Sequence, residues 1–166
     1  AEGTTAVGTV TTTDADAGVT TLTYSLTGDD AGDFTITKDG EAQNGVIAFK
    51  GSSTPDFETK TAYSLNVLVS DGTNTTTEAI VVNVTNVNDN SPVLSVATPY
   101  SVAEGTTAVG TVTTTDADAG TTTLTYSLTG TDKDDFTITK DGAAQNGVIT
   151  FDAAPDFETK TAYSLN

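Results

Sequence analysis

The eighteen residues from Ala1 to Gly18, AEGTTAVGTVTTTDADAG, return letter for letter from Ala103 to Gly120. With a two-residue gap at Ser53 and Thr54 the match runs on to Asn166, about 55 of 64 aligned positions being identical. A chain of 166 residues can hold one large domain or two small ones, and a period near one hundred residues decides for two. Each copy must then bury a core of its own. A catalytic domain rarely needs a near-identical twin, whereas a stalk or a multivalent binder does.

Neither copy reads as whole. SPVLSVATPYSV, from Ser91 to Val102, has the pattern of an opening strand for the second copy, and nothing equivalent precedes Ala1. Asn166 aligns with Asn66, so the second copy has no counterpart of Val67 to Asn90. The expected division is 1–90, a repeat lacking its first strand, and 91–166, a repeat lacking its last two. The chain reads as a piece of a longer tandem array, with no signal peptide and no transmembrane run in it.

Apolar residues alternate with polar ones through most of the chain: Leu22, Tyr24 and Leu26; Phe34 and Ile36; Ile47 and Phe49; Tyr63, Leu65, Val67 and Val69; Ile80, Val82 and Val84. Thr and Ser fill the places between. This is the pattern of half-buried strands, and β-branched Thr favours a strand while tolerating water. Gly, Asp and Asn punctuate the strands at Asp14 to Gly18, Gly28 to Asp33, Lys38 to Gly45 and Asp71 to Asn74. No segment keeps helical spacing for three turns. The expected fold is all-β: two tandem antiparallel sandwiches.

The formal charge is -17, from 23 acidic and 6 basic residues. Without Lys or Arg clusters, nucleic acid and anionic membrane surfaces are excluded as partners. Cys and His are both absent, which argues against zinc and copper. An enzyme finds little support, because neither Lys60 nor Lys160 stands beside a candidate nucleophile. Asn74-Thr75-Thr76 and Asn83-Val84-Thr85 match glycosylation sequons, which matter only in a eukaryotic secretory host.

The acids fall into two sets. Asp29, Asp30, Asp33, Asp39 and Glu41, with Asp132, Asp134, Asp135, Asp141 and Asp152, read as solvated loop charges. The others sit in short motifs: Ala1-Glu2-Gly3, Asp14-Ala15-Asp16-Ala17-Gly18, Pro55-Asp56-Phe57-Glu58 and Asn88-Asp89-Asn90. Their second-copy members are Glu104, Asp116, Asp118, Asp156 and Glu158. Carboxylates two residues apart, with Asn side chains and free carbonyls, suit a hard cation taking six to eight oxygens. An EF-hand is excluded, since the twelfth position counted from Asp14 is Ser25 and not Glu. Asx-type turns at Asp14 and Asp16, and a linker turn at Asn88 to Asn90, are the alternative.

Taken in order, these motifs resemble the cadherin repeat. The family's pattern is met by Glu2 and Glu104 after the first strand, by the DxD pairs Asp14–Asp16 and Asp116–Asp118, and by Asp56-Phe57-Glu58 and Asp156-Phe157-Glu158. Asp71 after the sixth strand and the interdomain Asn86-Val87-Asn88-Asp89-Asn90 complete it, with Asn86 where the family has Asp. The resemblance implies seven-strand Greek-key sandwiches joined near Asn86 to Ser91, with Ca2+ between successive repeats. It assigns to the central junction Glu2, Asp56, Glu58 and Asp89, with Asn88 and the carbonyls of Val87 and Asn90, and Asp116 and Asp118 from the second repeat. Asp14, Asp16 and Asp71 would face a preceding repeat, and Glu104, Asp156 and Glu158 a following one.

Seven carboxylates in a complete junction repel one another, so metal is expected to stiffen the junction more than to fold either sandwich. Near-identical copies rich in Thr, Asp and Gly also look like the cadherin-like extensions of large bacterial surface adhesins. That implies an extracellular, cell-surface spacer whose partners are the adjacent repeats. The alternative is a repeat that itself binds carbohydrate or a like repeat on another cell. Only eleven Tyr and Phe residues are present, 5 and 6 respectively, and most fall on core-phase positions, which favours the spacer.

Overall fold

The computed structural model describes every residue except 17–20, 41–42, 52, 119, 121–122 and 143, so Ala17, Gly18 and Glu41 lie outside the described residues. Two compact units divide the chain, Ala1–Val87 and Asn88–Asn166.

In the first unit, β1 (Ala6–Val10), β4 (Gly45–Phe49) and β3 (Phe34–Lys38) form one antiparallel sheet in that order. A second sheet joins β2 (Thr23–Thr27), β5 (Ala62–Ser70) and β6 (Thr75–Asn83), also antiparallel. Phe34, Ile47 and Phe49 from the first sheet meet Tyr63, Leu65 and Val67 from the second, with Val84 closing one end. These are the alternating positions, so period two has sorted the core from the Thr-rich outer faces. Full burial of such side chains contributes about 1.5–3 kcal/mol each. Phe34 and Phe49 lie 4.3 Å apart between ring centroids, and Tyr63 meets both edge-on at 5.4 and 5.1 Å.

Val7 and Val10 both pack against this core, although residues three apart in a regular strand point to opposite faces. The register shifts between Ala6 and Gly8 where β1 pairs with β4. That bulge turns Val7 inward beside the regular positions. At Gly45, which opens β4, a Cβ would sit 2.8 Å from Ile36 Cδ1 and 3.0 Å from the Tyr24 ring, so a larger residue would have to displace them.

The second unit repeats the first of these sheets with one more strand. β7 (Val93–Ser95), β8 (Ala108–Thr115), β10 (Gly147–Phe151) and β9 (Phe136–Lys140) form a four-stranded sheet in that order. Val112, Phe136, Ile149 and Phe151 are its buried core. The same bulge recurs between Ile149 and Thr150, and the same ring trio, Phe136, Phe151 and Tyr163, has centroid distances of 4.2, 5.5 and 4.9 Å. Two segments form no assigned strand here: TLTYSL at 123–128, the counterpart of β2, and AYSLN at 162–166, the counterpart of the start of β5. In the first unit β2 pairs with Asn66 to Ser70, and of that partner set the second unit supplies only Asn166. That one pair does form: Thr129 and Asn166 exchange backbone hydrogen bonds of 2.7 and 2.8 Å.

Candidate metal sites

In the first unit the segment before β1 is stapled across one end of the sandwich. The Glu2 N–H donates to the Thr85 carbonyl at 3.1 Å and the Gly3 N–H to the Pro55 carbonyl at 3.0 Å. The Glu2 side chain is thereby only 6% exposed, and Oε2 accepts the Phe57 N–H at 2.8 Å while Oε1 accepts the Val87 N–H. Asp56 caps the turn that follows, taking the Thr59 hydroxyl at 2.8 Å and its N–H at 3.1 Å. These Thr59 bonds, hydroxyl first, hold its carboxyl below the usual carboxylate range. Glu2, Asp56 and Glu58 each place a carboxylate oxygen within 4.8 Å of the others. Each pair at such a spacing repels by about 1 kcal/mol even at the dielectric of water.

The second unit builds the same triad from Glu104, Asp156 and Glu158, again within 4.8 Å. Glu104 Oε2 accepts the Phe157 N–H at 3.2 Å, the Gly105 N–H reaches the Pro155 carbonyl at 3.0 Å, and Thr159 again donates to Asp156, at 2.9 Å. All three carboxylates are exposed here, Glu104 included.

Near its N-terminus the second unit gathers a different group. Asp118 has no exposed surface and accepts the Asn90 N–H at 2.7 Å and the Asn90 Nδ2 at 3.0 Å. The same Nδ2 donates to Asp89 Oδ1 at 2.9 Å. Asp116 Oδ1 accepts the Asp118 N–H at 2.9 Å, while Asp116 Oδ2 is buried without a hydrogen-bond partner. Asn86 Oδ1 in the first unit is buried in the same state. A buried acceptor left without a donor costs about 1–3 kcal/mol, and a bound cation removes that penalty. Oxygen-only donors, several of them anionic, fit a hard divalent cation such as calcium.

Asp14 and Asp16 form the Asx turn, the Asp16 N–H donating to Asp14 Oδ1 at 2.8 Å. Asp71 caps the β5–β6 hairpin, accepting the Thr73 and Asn74 N–H groups at 2.7 and 2.6 Å. Those bonds, Asn74 first, hold its carboxyl below the usual range. The turn and metal readings are compatible, because a carboxylate has about four lone-pair positions. Asn88 opens the second unit.

Several acids read as plain loop charges have structural work. Asp30 pairs with Lys60 and accepts the Ser64 N–H at 2.7 Å; Asp132 does the same with Lys160 and Ser164, both at 2.6 Å. The lysine lowers each Asp pKa, the aspartate raises each Lys, and each ammonium sits over a Tyr ring, Tyr63 at 4.4 Å and Tyr163 at 4.2 Å. Asp39 and Asp141 tie down the Gln-Asn-Gly loops, accepting the Asn44 and Asn146 N–H groups at 2.7 and 2.6 Å. The available signal was identity: all four aspartates recur unchanged in both copies.

No family model matches the chain. The Fat-like cadherin-related tumor suppressor homolog of Drosophila melanogaster is 34% identical over 153 residues, covering 87% of this chain, which spans 3% of that relative's length. Among solved structures, chicken VE-cadherin EC1-2 superposes with a TM-score of 0.63 at 24% identity, over 96% of this chain and 78% of that one. Human Protocadherin-24 EC1-2 gives 0.63 at 23%, over 89% and 68%. The Protocadherin GammaB4 extracellular domain gives 0.61 at 26%, over 96% of this chain and 26% of that one.

Proposed function

We propose, from the premise that this chain is built of cadherin-type repeats, that it is an extracellular calcium-binding spacer in a cell-surface adhesion protein. The observation that carries the reading is the carboxylate triad of Glu2, Asp56 and Glu58, met again in Glu104, Asp156 and Glu158. The lysines beside these motifs, Lys60 and Lys160, are paired with Asp30 and Asp132, so the charge of the triads calls for an external cation. The orphaned Asp116 Oδ2 supports it independently.

In this reading, residues 1–90 and 91–166 are successive repeats. Glu2, Asp56, Glu58, Asp89 and Asn88, with the carbonyls of Val87 and Asn90, face Asp116 and Asp118 across one junction. Calcium, when bound, supplies positive charge and six to eight places for oxygen. The chain's own part is to hold the carboxylates ready. Backbone amides of Phe57 and Val87 fix Glu2, Thr59 fixes Asp56, and Asn90 fixes Asp118. Ligands preordered in this way lose little conformational freedom on binding. Without metal their mutual repulsion loosens the junction; with it, the angle between repeats is locked.

The spacer is preferred over carbohydrate recognition, because the rings of Phe34, Phe49, Tyr63, Phe136 and Phe151 are buried in cores, and the exposed Phe157 sits within the acidic motif between Asp156 and Glu158. Adjacent repeats, and like repeats on other molecules, are the partners this reading assigns. Among the described residues no helix is long and apolar enough to cross a membrane. Calcium titration followed by small-angle scattering tests the proposal. Saturable binding with a longer, stiffer particle is expected, and no change in dimensions between calcium and chelator would overturn it.

A further inference from the structure

Both units carry an Asn-Gly pair at the same place, Asn44-Gly45 and Asn146-Gly147, and in each the glycine opens a strand, β4 or β10. Asn-Gly is the dipeptide most prone to deamidation, because glycine has no Cβ to hinder attack of its backbone nitrogen on the asparagine carboxamide. The fold leaves little room to avoid the pair. A Cβ at Gly147 would sit 2.6 Å from Val112 Cγ2 and 2.9 Å from Ile138 Cδ1, as crowded as at Gly45. The asparagine has to donate and accept at once. Asn44 Nδ2 donates to Asp39 Oδ2 at 3.3 Å while its Oδ1 accepts the Thr12 N–H at 3.4 Å. Asn146 repeats this with Asp141 Oδ2 and the Thr114 N–H, both at 3.3 Å.

The same contacts oppose the reaction. Ring closure needs the carboxamide to swing onto the following nitrogen, and both of its polar atoms are engaged elsewhere. The backbone is held as well. Asp39 Oδ1 accepts the Asn44 N–H at 2.7 Å, the Asn44 carbonyl accepts the Asp39 N–H at 2.8 Å, and Gly45 stands in register between Val10 and Lys38. Just before the pair, Gln43 adopts a left-handed φ of 57°, its Oε1 accepting the Leu22 N–H at 3.2 Å and its carbonyl the Tyr24 hydroxyl at 2.8 Å.

We infer that Asn44 and Asn146 are latent deamidation sites, and that Asp39 and Asp141 are the positioning residues that keep them closed. When the loop opens, the Gly45 nitrogen bonds to Asn44 Cγ and the bond from Cγ to Nδ2 breaks. Ammonia leaves, carrying the proton from the glycine nitrogen. Water then opens the succinimide at either carbonyl and leaves aspartate or isoaspartate. The product sets a carboxylate where Nδ2 had donated to Asp39, so a hydrogen bond becomes a repulsion and the loop stays unlatched. Isoaspartate also adds a methylene to the backbone at the start of β4. The change is one-way, and its extent records how often the loop has opened.

The test incubates the whole 166-residue chain in mildly alkaline buffer and follows both asparagines by peptide mapping, with isoaspartate scored by enzymatic methylation. Both sites of the parent chain should convert about tenfold or more slowly than a synthetic peptide of residues 38–48. Asp39→Ala should speed conversion at Asn44 about fivefold or more and leave Asn146 in the same molecule unchanged. Asp141→Ala should do the reverse, which keeps the test decisive if one variant fails to fold. Asp30→Asn destabilises the first unit from outside this loop and should leave the Asn44 rate within about twofold of the parent. Parent sites that convert as fast as the peptide, or an Asp39→Ala chain whose two asparagines respond alike, would overturn the inference. So would Asp30→Asn acting as strongly as Asp39→Ala, because general unfolding and not this clamp would then set the rate. No arm depends on metal, so failure here leaves the calcium reading standing.

Discussion

Asp30 and Asp39 show how much a single acid's setting decides. Lys60, and after it the Ser64 N–H, hold Asp30 below the ordinary carboxylate range. A depressed folded-state pKa gives stability that is present above the unfolded value and lost as pH falls through the folded one. Asp30→Asn should therefore lower the urea midpoint at pH 7, and the difference from the parent chain should vanish below the lowered pKa. Lys60 runs the other way: Asp30 raises its pKa, so its contribution persists through neutral pH and disappears only as pH rises through the raised value. A gap that stayed constant down to pH 2 would contradict this pairing. Asp39 accepts two bonds from Asn44, at 2.7 and 3.3 Å, so Asp39→Ala should cost about 1 kcal/mol in a denaturant melt. It is accordingly a poor control for metal binding. Exposed Asp29 is the better one.

At the scale of elements, the two copies form an internal experiment. Leu65 lies opposite Ile80 of β6 and is 2% exposed, whereas Leu165 is half-buried. Leu65→Ala should cost about 2–5 kcal/mol by the usual penalty for a core cavity, and Leu165→Ala distinctly less. Equal losses in calorimetry of the two variants would show that the cost of the cavity does not follow burial here. Most strands were legible in the sequence because one face is apolar and the other is Thr, and period two is then unambiguous from Leu22 to Leu26 or from Tyr63 to Val69. The bulge beside Val7 was not legible, since a spacing of three says only that something irregular intervenes. The alternation at 123–128 matches that of β2, yet no strand is assigned there, because pairing depends on a partner segment and not on a strand's own residues alone. The acidic motifs were legible as groups through their repetition. What sequence left open was the second employment of Asp14, Asp56 and Asp71 as turn caps, because capping and ligation favour the same residue at the same kind of turn.

For the whole molecule, folding energy resides in the cores and junction stiffness in the proposed metal sites. Each unit has its own buried cluster, to which none of the motif carboxylates belongs, although Phe57 packs against the first. Chelation should leave the β-sheet circular dichroism largely intact while scattering shows a shorter and more flexible particle. Complete unfolding would show that metal energy is folding energy in this chain.

The central claim is that calcium is held at discrete oxygen sites and does not merely screen an acidic coat. Isothermal titration of three variants tests it most directly. Glu58→Gln takes one charge from the triad with Glu2 and Asp56, Asp89→Ala takes one from the group with Asn90, and Asp29→Asn takes the same charge from an exposed loop. Discrete sites predict that the first two weaken binding at least tenfold, about 1.4 kcal/mol, while the third changes almost nothing. Small and equal shifts in all three would mean diffuse neutralisation and would contradict the account.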